Sequence, residues 1–236
     1  MPINLVAIVV AQLITFAIIM QLFGRKAGLA MTDWLLAVGI GAVLGLLMDA
    51  VIGTFGIFAY LPQGMSGFPV VPRELPLHVL LFNAFASYGL ASATVVPLSS
   101  HFLRQYSLSR RWMAVCGAVG LCGVVGVLLF HPGSVAVLFA WGGTIIAFGE
   151  LVLGVNGKTG PFLTLFTLND WRPFGRFWLL CASVGAVYEL VNSAFPFWVW
   201  LPDSHVSEVG MKTLIAGAGY LALFHPLVVL FVLLRK

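Results

Sequence analysis

Seven long apolar runs divide this chain, at Ile3–Phe23, Trp34–Thr54, His78–Leu98, Trp112–Phe130, Ser134–Gly154, Gly175–Val199 and Met211–Leu234. A helix needs about 20 predominantly apolar residues to cross the hydrocarbon core of a bilayer. Each run meets that requirement, so the expected fold is an all-α integral membrane protein with seven transmembrane helices. Composition closes off the alternative. Only 8% of the 236 residues are charged and 61% are hydrophobic, where a soluble domain carries about 25% charged residues. A mean hydropathy of +1.05 leaves too little polar surface to coat a globule in water. The first run is too long for a signal-peptide core and no basic segment precedes it, so it reads as an uncleaved span.

Basic residues set the expected orientation. With the N-terminus outside, the inner loops hold Arg25, Lys26, Arg104, Arg110, Arg111, Lys158, Arg172, Arg176, Arg235 and Lys236, while the outer loops hold Arg73 and Lys212. This is the bias the positive-inside rule describes, and it places the C-terminus inside. These cations sit in short loops and report topology; the net charge of +4 carries no nucleic-acid signal.

The run Asp49–Pro62 has an echo 140 residues later at Glu189–Pro202. Asp49 falls on Glu189, Phe55 on Phe195, Phe58 on Trp198, Tyr60 on Trp200, and Leu61-Pro62 on Leu201-Pro202; upstream, Ala42 and Gly45 fall on Ala182 and Gly185. Each copy is an acid within an apolar helix, then aromatics, then a Leu-Pro exit. In the seven-span topology both copies run from inside to outside. The chain then divides into two parallel three-helix repeats, 1–98 and 134–236, within one membrane domain, with the span 112–130 as linker. Gly117, Gly120, Gly123 and Gly126 in that linker read as a close-packing seam.

Asp49, Glu150 and Glu189 lie inside apolar runs. An ionised side chain at the bilayer centre costs at least about 2.5–3.5 kcal/mol, so an intramembrane acid is a functional candidate or one half of a hidden interhelical bond. A carboxyl taken out of water favours its neutral form, and a neutral carboxyl is a proton donor for general acid catalysis. Asn192, three residues beyond Glu189, is placed to hold that carboxyl, with Tyr188 beside it. Glu150 lies near the inner end of its run. His78 opens the third run on the outer side, and His225 precedes Pro226 midway along the seventh. Phe55, Phe58, Tyr60, Phe195, Phe197, Trp198 and Trp200 form either an outer aromatic belt or a wall around a cationic intermediate.

The histidines, His131 and His205 among them, have no metal-ligand spacing, and no metal or cofactor is expected. Cys116, Cys122 and Cys181 lie in apolar runs without a CxxC, and read as packing residues. The stretch GVNGKTG lacks the glycine a phosphate-binding loop needs five residues before its Gly-Lys-Thr, since position 152 is Val152; it reads as a cytoplasmic turn.

Asp49, then Gly56, Phe58 and Tyr60, then Gly67, Leu75-Pro76-Leu77 and Phe82, resembles the integral-membrane lycopene cyclase domain over about 40 residues. That family has an acid, Gly-x-Trp-x-Phe, a glycine, and Leu-Pro-x-Glu-Glu-x-x-Phe-Phe, and occurs as two tandem three-span halves. Where it has Glu-Glu this chain has His78-Val79, and where it has Phe-Phe, Phe82-Asn83. The resemblance implies an isomerase-like or hydratase-like enzyme of carotenoid biosynthesis, with Asp49 as the matching acid.

The expected function is a membrane enzyme acting on an apolar isoprenoid or polyene lipid by acid-initiated cyclisation or hydration. Asp49, Glu189, Glu150, His78 and Asn192 are its candidate catalytic residues. Phe55, Phe58, Tyr60, Tyr188, Trp198, Trp200 and His225 are its candidate substrate contacts. A proton-coupled transporter and a structural subunit of a larger membrane complex remain the alternatives, with oligomeric state open. The expected location is the inner (cytoplasmic) membrane.

Overall fold

The computed structural model describes residues 2–24, 28–54, 58–61, 69–130, 134–200 and 208–235. Phe55, Gly56, Pro62, Gly67, His131, Leu201, Pro202 and His205 lie outside them. The chain is mostly helical: α1 (Ile3–Ile19), α2 (Met31–Thr54), α3 (Leu77–Asn83), α4 (Leu90–Ser99), α5 (Arg110–Leu129), α6 (Val135–Val155), α7 (Pro161–Thr167), α8 (Arg172–Ala194), α9 (Glu208–Leu214) and α10 (Tyr220–Leu234). A π-helical turn, Ala84–Gly89, fuses α3 to α4, and another, Ile215–Gly219, fuses α9 to α10. Among the described residues seven helical stretches are long and apolar enough to cross a membrane. Their outward faces carry side chains such as Val43, Leu47, Leu121, Leu128 and Leu190, each more than half exposed. Lipid is the solvent that makes such a surface stable.

The core is built around α10, which packs against α2, α4, α6 and α8. Helix α1 lies on α4 and α8, and α5 packs chiefly on α6. The glycine seam of α5 is real at three of its four positions. A Cβ on Gly120 would strike the Phe148 ring, one on Gly123 would strike Thr144, and one on Gly126 would press on Ala140; Gly117 meets nothing within 4 Å. Lipid offers no hydrophobic force to drive two helices together, so close backbone approach and dispersion hold α5 to α6.

One feature departs from an all-helical expectation. The stretch expected to continue as helix to Val199 leaves α8 at Ala194, and Trp198–Trp200 is a strand (β2). It pairs antiparallel with Phe58–Tyr60 (β1), Phe58 opposite Trp200, Ala59 opposite Val199 and Tyr60 opposite Trp198. Beyond this register, Leu61 donates its N–H to Phe197, and Tyr60 exchanges both backbone bonds with Val70. The ribbon therefore gathers the segments that follow α2 and α8 at one end of the bundle.

At the opposite end, the GVNGKTG stretch is the turn expected. Gly157 has φ +71°, a left-handed conformation that glycine adopts without strain. Thr159 exchanges backbone bonds with Arg104, and α7 follows. Arg104 also pairs with Asp170 at 3.0 Å, which holds the exposed Asp170 carboxyl below the usual carboxylate range.

Candidate functional site

Asp49 is buried near the C-terminal end of α2, and its two oxygens are taken by two phenols. The Tyr60 hydroxyl donates to Oδ2 at 2.7 Å and the Tyr88 hydroxyl to Oδ1 at 2.5 Å. Asn83 donates its amide N–H to the Tyr60 oxygen at 3.0 Å. A buried carboxyl must have such partners, because desolvation without them costs several kcal/mol. The cluster is assembled from three places: α2, the ribbon strand β1, and the π turn between α3 and α4.

Local backbone explains why Tyr88 reaches Asp49. A Cβ on Gly45, one helical turn before Asp49, would overlap the Tyr88 side chain. Only glycine leaves room for the ring to lie against α2. Next to it, a Cβ on Gly41 would strike Ser92 and come within 2.8 Å of the Tyr88 carbonyl, so the two helices nearly touch. The π turn adds a residue to the helical register and re-aims the side chains that follow, a device concentrated at functional sites.

Tyr60, Asn83 and Tyr88 line one side of a cavity of about 160 Å³. Its remaining wall is largely apolar and aromatic, with Phe58, Trp141, Ile145, Tyr188, Trp198, Tyr220 and Phe224. Ring contacts run Phe58–Tyr60–Phe197 at centroid separations of 5.3 and 4.9 Å, and Trp198–Tyr188–Tyr220–Phe224 at 5.9, 5.9 and 6.0 Å. Ser87 and Tyr188, also in the lining, share a hydrogen bond of 2.7 Å. Phe58, Tyr60 and Phe197 are buried, so they form an internal wall; the outer belt, the other reading of these aromatics, is not where they lie.

The expected site residues separate into groups. Phe58, Tyr60, Tyr188 and Trp198 line the cavity, and Asp49 stands directly behind Tyr60 and Tyr88. Glu189 is buried on α8, next in the chain to the cavity residue Tyr188, and does not itself line the cavity. Trp200 contributes backbone pairing opposite Phe58, and Phe55 lies outside the described residues.

Asn192 does something other than hold Glu189. Its Oδ1 accepts the N–H groups of Phe197 and Trp198 at 2.9 and 3.1 Å, and its Nδ2 donates to the Trp198 carbonyl at 2.9 Å. It clamps the entry to β2, because the chain leaving α8 has backbone groups that no helix satisfies. Glu150 is likewise an anchor. It accepts the N–H groups of Gly160 and Phe162 at 2.9 and 3.0 Å, fastening the start of α7. His225 Nε2 sits 3.2 Å from the same carboxyl, buried against Gly149, and neither residue lines the cavity. His78 is exposed on the first turn of α3, away from the cavity. Among the described residues no three His, Cys, Asp or Glu side chains converge in a way that could hold a metal ion.

Four polar cavity residues escaped the sequence reading: Asn83, Ser87, Tyr88 and Tyr220. Their signal was present in the third run, where Asn83, Ser87 and Tyr88 interrupt an apolar stretch at spacings of four and five. An amide and two hydroxyls inside a span are costly unless partnered, which marks a face with work to do. No protein family matches this chain, nor does any curated protein or solved structure.

Proposed function

We propose that this protein is a membrane-embedded enzyme that protonates a carbon–carbon double bond of an apolar isoprenoid or polyene, ending in cyclisation or hydration. The observation that carries this reading is the Asp49 unit: a buried carboxyl whose two phenol partners both line an aromatic cavity. Asp49 reaches the cavity only through those phenols. With the carboxyl protonated, Tyr60 accepts from Asp49 and from Asn83, and its own hydrogen turns to the cavity. Proton transfer to the substrate carbon and from Asp49 to the phenol oxygen then proceeds as one relay. The resulting cation is desolvated and faces Phe58, Tyr188, Trp198 and Tyr220, whose π faces attract positive charge.

The parallel-repeat architecture belongs to the same proposal. Under the 140-residue offset the ribbon register is self-consistent: Phe58 pairs with the counterpart of Tyr60, and Tyr60 with the counterpart of Phe58. Gly45 beside Tyr88 has its parallel in Gly185, where a Cβ would press on the Tyr220 ring. Both tyrosines lie at or just after a π turn. These correspondences support a pseudo-two-fold axis between α4 and α10; the proposed N-out orientation in an inner membrane rests instead on the bias of Lys and Arg toward one set of loops.

The test compares membrane lipid extracts by mass spectrometry from a host making linear C30–C50 isoprenoids. The strains express the wild type, Asp49→Asn or empty vector. A product of unchanged mass, or heavier by one water, is expected only with the wild type. Conversion that survives in Asp49→Asn refutes the acid mechanism. No conversion by folded wild type moves the assignment to a carrier or a complex subunit.

A further inference from the structure

We infer that the cavity holds a water molecule between Asn83 and the Ser87–Tyr188 pair, and that this water captures the cation, making the reaction a hydration. The inference rests on the protonation reading above and decides between its two endings.

Hydrogen counting places the water. Ser87 and Tyr188 together carry two hydroxyl hydrogens, and the bond between them uses one. The second has no acceptor among the described residues, and both side chains line the cavity. Asn83 supplies the complementary group. The Tyr60 oxygen accepts from Asn83 both while Tyr60 donates to the Asp49 carboxylate and once Asp49 is protonated, so the Asn83 atom facing it is the amide nitrogen. That turns the Asn83 amide oxygen away from Tyr60, where it accepts no bond from the described residues. Asn83 closes α3 and Ser87 lies four residues on, in the π turn, so the two share a face.

The cavity therefore offers one free donor and one free acceptor on neighbouring positions, all of it buried: Asn83, Ser87 and Tyr188 are 4%, 3% and 6% exposed. Buried polar groups with unused capacity are satisfied by ordered water when the space is polar and large enough, and 160 Å³ is ample. A cavity built for cyclisation has no use for this arrangement, since water intercepts the cation before an internal double bond does.

The chemistry balances without a co-reactant other than water. The Asp49 proton, relayed by Tyr60, forms a C–H bond with one alkene carbon from its π pair, leaving a cation on the neighbouring carbon. The water oxygen forms the C–O bond with that cation. Its surplus proton returns through the Tyr60 hydroxyl to the Asp49 carboxylate, so alkene plus water gives a tertiary alcohol and the unit is restored.

The experiment uses membranes containing the full chain, loaded with squalene or lycopene, in water enriched in both deuterium and oxygen-18. Deuterium on carbon reports protonation; oxygen-18 in the product reports capture. The wild type is expected to give an alcohol carrying both labels. Ser87→Ala and Ser87→Val, which leave Asp49, Tyr60, Tyr88 and the aromatic wall in place, are expected to lower oxygen-18 product about 10-fold or more, the effect of one lost hydrogen bond to the nucleophile, while deuterium incorporation stays detectable. A wild-type product of unchanged formula that carries deuterium overturns the hydration inference and leaves the protonation reading standing. Oxygen-18 product made equally well by both variants overturns the placement of the water. Absence of both labels from folded wild type refutes the protonation reading, and the inference falls with it.

Discussion

Replacing Gly45 by alanine tests how the candidate site is held together. The added Cβ would lie 2.6 Å from Tyr88 Cδ2 and 2.7 Å from its Cβ, where carbon atoms prefer about 3.5–4.0 Å. These are the near atoms of the ring, so Tyr88 cannot swing clear by a rotamer change. The third helical span must retreat by about 1 Å. That movement stretches the 2.5 Å bond from Tyr88 to Asp49 to the edge of hydrogen-bonding distance. Overpacking costs about 1–3 kcal/mol and a hydrogen bond to a charged or sharing carboxyl about 1.5–3, offset by roughly 1 for the better helix propensity of alanine. The expected net loss is about 2–4 kcal/mol. Gly39, on the same helix, has nothing within 4 Å of its added Cβ, so Gly39→Ala is the matched control, expected to gain up to about 1 kcal/mol. Unfolding in mixed micelles against rising SDS mole fraction, followed by tryptophan fluorescence, measures both. In a Tyr88→Ala background the further cost of Gly45→Ala should largely vanish, because the ring atoms it strikes are gone. Equal stability of Gly45→Ala and Gly39→Ala would refute the packing argument and with it the account of how Tyr88 reaches Asp49.

Asn192→Ala removes three hydrogen bonds from the entry to β2 and should destabilise the protein by about 2–4 kcal/mol in the same assay; an unchanged midpoint would show that the clamp contributes nothing. Glu150→Ala strands two backbone N–H groups and a buried imidazole, with an expected cost of about 3–5 kcal/mol and faster proteolysis at the 156–160 turn. Asp170 is held below the ordinary carboxylate value chiefly by its hydrogen bond to Arg104. Its contribution is thus complete above the unfolded value of about 3.9 and disappears as pH falls through the lower folded value. Between about pH 5 and pH 2 the wild type should lose slightly more stability than Asp170→Asn; parallel curves would mean that this exposed pair is fully screened.

How much of this was legible in advance depends on the range of the forces involved. The spans were, because each helix satisfies its own backbone bonds and answers to lipid one segment at a time, so run length alone finds it. The acids were legible for the same reason, since Asp49, Glu150 and Glu189 are costly wherever their helices lie. Their roles were not. Glu150 turned out to fasten α7 and His225, and Asn192 the ribbon, because a carboxyl or amide takes whichever donors folding brings within 3 Å. The break after Ala194 was hidden as well. FPFWVWLP is apolar enough to pass for the end of a span, and only its pairing with β1, some 140 residues away, makes it a strand.

The sequence by itself determined the solvent, the seven helices and the three places where a carboxyl had to be buried. Tertiary structure alone decided which carboxyl meets the cavity. Tyr88 lies 39 residues from Asp49, and Ser87 lies 101 from Tyr188. No local periodicity encodes such contacts. They exist because glycines let the second and third spans nearly touch, because π turns re-aim the residues that follow, and because one short ribbon ties the ends of α2 and α8 together.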